Sequence, residues 1–136
     1  MINDLIQSSF NSRLKAAHPT LIVRSENETV EEGLAVYATT HLLPVPPLQA
    51  ALGENAPNDH KGVFQITVKT QKGAGWGDGS EIAGAIVATF KRGTKVTQST
   101  HMITIERSYI GPGFYDADKY CLPVSVDYRC FLSNNE

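Results

Sequence analysis

The chain has 136 residues, 41% of them hydrophobic and 19% charged, a balance that fits a single folded domain over 1–136 and excludes a disordered chain. The net charge of −2 argues against a dedicated nucleic-acid binder, which needs a basic surface to displace counterions. That charge is uneven: residues 1–60 carry seven acidic and three basic side chains, and residues 61–136 carry seven acidic and nine basic. No apolar run approaches the roughly 20 residues that span a bilayer. The N-terminus lacks the basic-then-apolar pattern of a secretory signal. Cys121 and Cys130 lie nine positions apart in one predicted strand, so they point to opposite faces and form no bridge there, as suits a reducing cytosol.

The first segment reads as a helix. Ile2, Leu5, Ile6, Phe10, Leu14 and Ala17 recur at spacings of three and four, one face of an α-helix. His18-Pro19 ends it, because the residue before a proline is pushed out of the helical region. Leu21–Val23 is a short strand candidate. The acidic stretch that follows holds Glu26, Glu28, Glu31 and Glu32, either a solvated loop or a surface that meets a basic partner. A strand is predicted from Gly33 to Leu43, apolar on both faces and so buried on both.

Residues 44–61 read as one long connection, because Pro44, Pro46 and Pro47 do not fit a sheet interior. Connections of this length are uncommon unless functional. With Leu48 and Leu52 it is either a packed surface loop or an arm that docks on a neighbour. Gly62–Thr70 alternates, with Phe64, Ile66 and Val68 opposite Gln65, Thr67 and Lys69, the period of a strand. A glycine-rich turn at 73–79 leads into a second helix. Asp78 and Glu81 have the spacing of a capping box, Ile82, Ile86 and Phe90 mark the buried stripe, and Gly93 suits the C-terminal cap. His101–Arg107 and Tyr120–Leu132 are the last two predicted strands, joined by a turn at 109–119 that holds Phe114 and Tyr115. The order of elements predicts an α+β fold, a mainly antiparallel sheet with two helices packed on one face.

Tests for chemistry return little. Glycines at 73, 75, 77 and 79 match neither a dinucleotide fingerprint nor a P-loop. His18, His41, His60 and His101 lack zinc-ligand spacing. Asp116 and Asp118 lack the glutamate and glycine of a calcium loop, and no nucleophile elbow is present. The expectation is therefore no enzyme, no metal and no cofactor. Trp76 sits in the glycine turn, where it either packs back on the core or anchors an interface. Taken with Pro46, Pro47, Leu48, Leu52, Phe114 and Tyr115, it places apolar side chains outside regular elements, which favours a subunit completed by its neighbours.

Several segments in this order carry a resemblance. They are Glu26-Asn27, Leu42-Leu43-Pro44, Gly62–Val68, Lys72–Gly75, Phe90–Thr94 and Pro123–Arg129. Together the chain resembles the small phage tail-terminator-like proteins of long, non-contractile tails. The resemblance implies a structural virion protein of the tail or neck, assembled in the host cytoplasm, with no catalytic residues. It implies a hexameric ring at the head-proximal end of the tail tube. Such a ring stops polymerisation of the tube protein and offers a docking face to the head connector. DNA passes through its lumen without sequence readout, and no membrane is involved. Another neck or head–tail joining protein is an alternative within the same class. A small module binding a phosphate ligand at Gly73–Gly79 is an alternative from a different class.

Overall fold

The computed structural model describes residues 2–25, 35–44, 48–49, 58–71, 73, 77–98, 101–116 and 119–132. In chain order the elements are α1 (Ile2–Ala17), β1 (Val23–Arg24), β2 (Tyr37–Pro44), β3 (Leu48–Gln49), β4 (Asn58–Gln71), α2 (Gly77–Thr89), β5 (Lys95–Gln98), β6 (His101–Ile110), β7 (Phe114–Asp116) and β8 (Lys119–Leu132). The strands form an eight-stranded sheet ordered β1-β2-β4-β8-β6-β5, with β3 beside β4 and β7 beside β8. Every pairing is antiparallel except β1 with β2. This is the expected α+β architecture.

The frame is the pair β4 and β8, joined along their full 14 residues from Asn58↔Leu132 to Gln71↔Lys119. Alternation sorts their side chains: Phe64, Ile66 and Val68 share one face with Val124, Val126 and Tyr128, all buried. Both helices cover that face. Helix α1 contributes Ile6, Phe10 and Leu14, and α2 contributes Ala83 and Ile86, to the same core as Phe90 just beyond it. Phe10 is the hub, with ring centroids 5.1 Å from Phe64, 5.8 Å from Phe90 and 5.5 Å from Tyr128. The tilted and edge-on geometries suit the aromatic quadrupole.

Polar ties fix α1 in this position. Arg13 donates to the carbonyl of Thr89 at 3.0 Å. The Thr89 hydroxyl gives its one hydrogen to the Ala85 carbonyl and lies 2.9 Å from His18 Nε2, so the imidazole must be the donor there. Asn11 bridges β2 and β1's end: its carbonyl accepts from Thr40 and its amide donates to Ser25.

Several boundaries differ from the sequence-based expectation. The strand expected from Gly33 begins at Tyr37, and it is not buried on both faces, since His41, Leu43 and Pro44 are exposed. The long connection at 44–61 is interrupted: Pro44 closes β2, Leu48 and Gln49 pair with Asp59 and Asn58, and β4 starts at Asn58. Pro44 is tolerated because it ends its strand. Helix α2 begins at Gly77, so Asp78 falls in its first turn rather than at the cap. Gly93 takes a positive φ of 84°, the left-handed conformation expected of a residue ending a helix.

The expected turn at 109–119 is mostly strand. β6 runs on to Ile110, and after Gly111-Pro112-Gly113 the chain resumes as β7 on the same flank of β8. Pro123 explains the break. Its carbonyl accepts from Gly111 at 2.8 Å, so its missing N–H lies on that same flank. The strand pauses where β8 has no donor to offer.

Candidate functional site

Among the described residues, no group of three histidine, cysteine, aspartate or glutamate side chains is placed to hold a metal ion. No described helix is long and apolar enough to cross a membrane. Cys121 and Cys130 form no disulfide. Cys130 belongs to the helix-covered core, whereas Cys121 is buried on the opposite face. Burial pushes the Cys121 thiol up, against the pull of Lys69, with Asp116 adding to the rise. A raised thiol is a poor nucleophile.

The glycine run does not form a continuous loop. Gly73 stands in a turn with φ of 89°, while Gly77 and Gly79 lie inside α2. Gly79 serves packing: a side chain there would meet Leu122 at 3.2 Å and Thr70 at 3.4 Å. Gly75 and Trp76 lie outside the described residues. The concave surfaces are shallow. One, about 330 Å³, is lined by His18, Thr20, Leu21, Val36, Glu81, Ile82 and Ala85.

Of the six large apolar side chains exposed among the described residues, Leu43 in β2 and Met102 at the start of β6 stand apart, and the other four gather at one flank of the sheet. Tyr109 and Ile110 end β6, and Phe114 and Tyr115 lie in β7, with 42%, 41%, 47% and 66% of their surface exposed. Phe114 shares a face with Cys121, and Tyr115 pairs with Tyr120, with ring centroids 5.3 Å apart. The flank is therefore apolar on both faces. β5 and residues 93–94 pair with the outer side of β6 only as far as Ile105. Among the described residues no strand pairs with it from Arg107 to Ile110. Arg107 instead reaches inward to Asp127 at 2.6 Å and lies over the Tyr109 ring at 4.8 Å. The hydrogen bond to Asp127 chiefly holds its guanidinium above the usual range.

The sequence-based candidates divide accordingly. Phe114 and Tyr115 are exposed together. Leu48 is placed by its backbone in β3, and its side chain lies outside the described residues, as do Pro46, Pro47, Leu52 and Trp76. Glu26, Glu28, Glu31 and Glu32 also fall outside. Sequence reasoning missed Tyr109 and Ile110. The β6 alternation is broken by the irregularity between Ile105 and Arg107, and the following Gly-Pro-Gly reads as a turn.

Comparison with known proteins decides the family. The model of the phage tail terminator protein family matches residues 5–128. The chain belongs to the phage tail terminator family. That places it as a structural component of a phage tail, located in the tail or neck of a virion. No curated protein matches the sequence. Among solved structures, a chain whose description names no function is 21% identical with a TM-score of 0.75, covering 94% of each chain. A chain from the virion of a native gene transfer agent particle is 16% identical with a TM-score of 0.59, covering 98% of each. At these identities the two likenesses concern the fold. The terminator carries its two helices on one face of its sheet and leaves an apolar strand edge exposed.

Proposed function

We propose that this terminator forms a ring, with six copies expected, at the head-proximal end of the tail tube. There it ends polymerisation of the tube protein and gives the head connector a surface to dock on. The observation that supports this reading is the β6–β7 flank. A strand edge flanked by four exposed apolar side chains is a liability in a monomer, and pairing with a neighbour removes it. An open sheet has two different edges, so copies joined head to tail make heterologous contacts, which close into rings when the rotation allows. The reading assigns no catalysis. Phe114 and Tyr115 serve as subunit contacts, and Pro46, Pro47, Leu48, Leu52 and Trp76 as contacts to a neighbour or to the tube. Glu26, Glu28, Glu31 and Glu32 form an acidic surface for a basic partner.

The test is negative-stain microscopy with mass measurement of the purified chain. A ring of six 14.8-kDa chains has a mass of about 89 kDa and an open centre. The variant Phe114→Ser/Tyr115→Ser is expected to remain folded and lose the ring. If the wild-type chain stays monomeric both alone and on purified tail tubes, the ring reading fails. Deleting residues 46–58 tests the arm contacts: unchanged ring formation and tail length would remove them, and neutralising the four glutamates without effect on assembly or infectivity would remove the acidic surface.

A further inference from the structure

The two ends of the sheet can be compared row by row, because cross-strand partners stand level and share a face. Phe114 stands in one row with Cys121, Lys69 and Tyr37, and Ile110 in another with Val124, Ile66 and Thr40. The apolar flank of β6 and β7 is therefore level with the first half of β2, where β1 pairs at Ala38 and Thr39. Tyr115 is one row beyond that of Tyr37, where Val36 leads into β2. Tyr115 and Ile110 lie on the helix-covered side: their partners are Tyr120, packed against the core, and Val124, within it. Tyr115 is also the most exposed large apolar side chain among the described residues. At the opposite edge, on the same side, lies the hollow of about 330 Å³. Leu21 and Val36 line it beside β1 and β2, Ile82 and Ala85 close it from α2, and His18 and Glu81 supply its polar groups.

We propose that this hollow receives Tyr115 of the neighbouring copy, so that each subunit contact has one tyrosine anchored beside β1 and β2 of the next chain. The proposal rests on the ring reading for the presence of a neighbour, and names the second half of the contact. A heterologous contact joins two different patches. The tyrosine and the hollow sit at opposite edges of the sheet, on one side and level with each other. Copies set side by side in the same orientation therefore bring the two together without sliding along their strands. The chemistry agrees in size, in lining and in polarity. The hollow is at the small end for ligand sites, with room for one large side chain rather than a chain segment. Leu21 and Ile82, half-buried against the core, offer with Val36 and Ala85 an apolar wall to an aromatic ring. A buried phenol needs a partner for its hydroxyl. Thr89 obliges His18 Nε2 to donate, which leaves Nδ1 of the neutral ring as an acceptor, and Glu81 offers a second. Tyrosine is enriched among the residues that carry interface energy, seated in well-packed pockets. A small ligand would account for the hollow but not for the exposed tyrosine, whereas one contact between copies accounts for both.

The experiment mixes two variants of the full chain. Tyr115→Ser removes the anchor and keeps the hollow, and Ala85→Phe fills the hollow and keeps the anchor. Ala85 is exposed on α2, so the core is untouched, and a thermal melt checks that both variants fold. Should Ala85→Phe melt early, Thr20→Trp plugs the hollow from another exposed position. Assembly is followed by sedimentation velocity and microscopy, alone and on purified tail tubes. Each variant alone is expected to need about thirtyfold more protein than the wild type to assemble. Both changes in one chain should cost no more than either, because they remove the same contact. Tyr115→Phe should fall between wild type and Tyr115→Ser, since it keeps the ring and loses the hydroxyl. An equal mixture retains one intact contact, Tyr115 of the Ala85→Phe chain in the hollow of the Tyr115→Ser chain. It should give a two-chain species of about 30 kDa and no ring. Rings that form as readily from either variant as from the wild type, or a mixture that gives nothing larger than its components beside a wild type that assembles, would overturn the proposal and leave the ring reading standing. A wild-type chain that stays monomeric alone and on tubes removes the ring reading. Pairing in the mixture would then still uphold the tyrosine contact, and no pairing would remove both.

Discussion

Tyr128 is the residue where the core is least comfortable. It is buried with its ring against Phe10, yet among the described residues its hydroxyl has no hydrogen-bond partner. A buried hydroxyl without a partner costs about 1–3 kcal/mol, so Tyr128→Phe is expected to be neutral or to stabilise by about 1 kcal/mol in urea unfolding. Burial also raises the phenol from 10.0 to about 12. Between those values the unfolded chain sheds a proton that the folded chain keeps, so stability falls as pH rises from 10 towards 12. The fall attributable to Tyr128 is about 2–3 kcal/mol; it should be present in the wild type, absent from Tyr128→Phe, and so appear as the difference between their stability–pH curves. The neighbouring Gly62 makes room for the same hydroxyl: a Cβ there would lie 2.5 Å from Tyr128 Oη and 2.7 Å from the Leu43 carbonyl. Gly62→Ala is expected to destabilise by about 1–3 kcal/mol, and by less in the Tyr128→Phe background, because the two changes share a contact.

Among the elements, α1 depends most on what it packs against. Its periodicity supplies the stripe, but Phe10 becomes a hub only because β4, β8 and the end of α2 bring Phe64, Tyr128 and Phe90 to it. Phe10→Ala should cost about 3–5 kcal/mol, measured as a lower urea midpoint. The same element was readable from sequence, since Ile6, Phe10 and Leu14 are all fully buried. β5 and β7 were not readable: at four and three residues they are too short to show a period, and their pairing with β6 and β8 defines them. The alternation of β4 and β8 was readable almost to its ends. Their true reach, to Asn58 and Lys119, is set by each extending the other.

For the whole molecule, the two apolar faces of the β6–β7 flank set the expectation. A partner that binds only the folded chain adds to its stability by mass action. The melting temperature should therefore rise with protein concentration through the range where rings appear, and Phe114→Ser/Tyr115→Ser should remove that rise while leaving the dilute value nearly unchanged. A concentration-independent melt for a chain that microscopy shows in rings would locate the subunit contact away from this flank.

The sequence by itself determined the fold class, the buried stripe of both helices, the two-faced alternation of the central strands and, through the order of its short segments, the family. These are local periods or linear orders, which a chain displays without folding. Tertiary structure alone decided that Tyr109 and Ile110 join Phe114 and Tyr115 at one exposed flank, and that Pro123 marks the pause between β6 and β7. It also placed Arg24, Lys61, Lys69, Lys95, Arg107, Lys119 and Arg129 on one helix-free face. Such groupings arise from register between strands far apart in sequence, and register is fixed by pairing energies that no single segment contains.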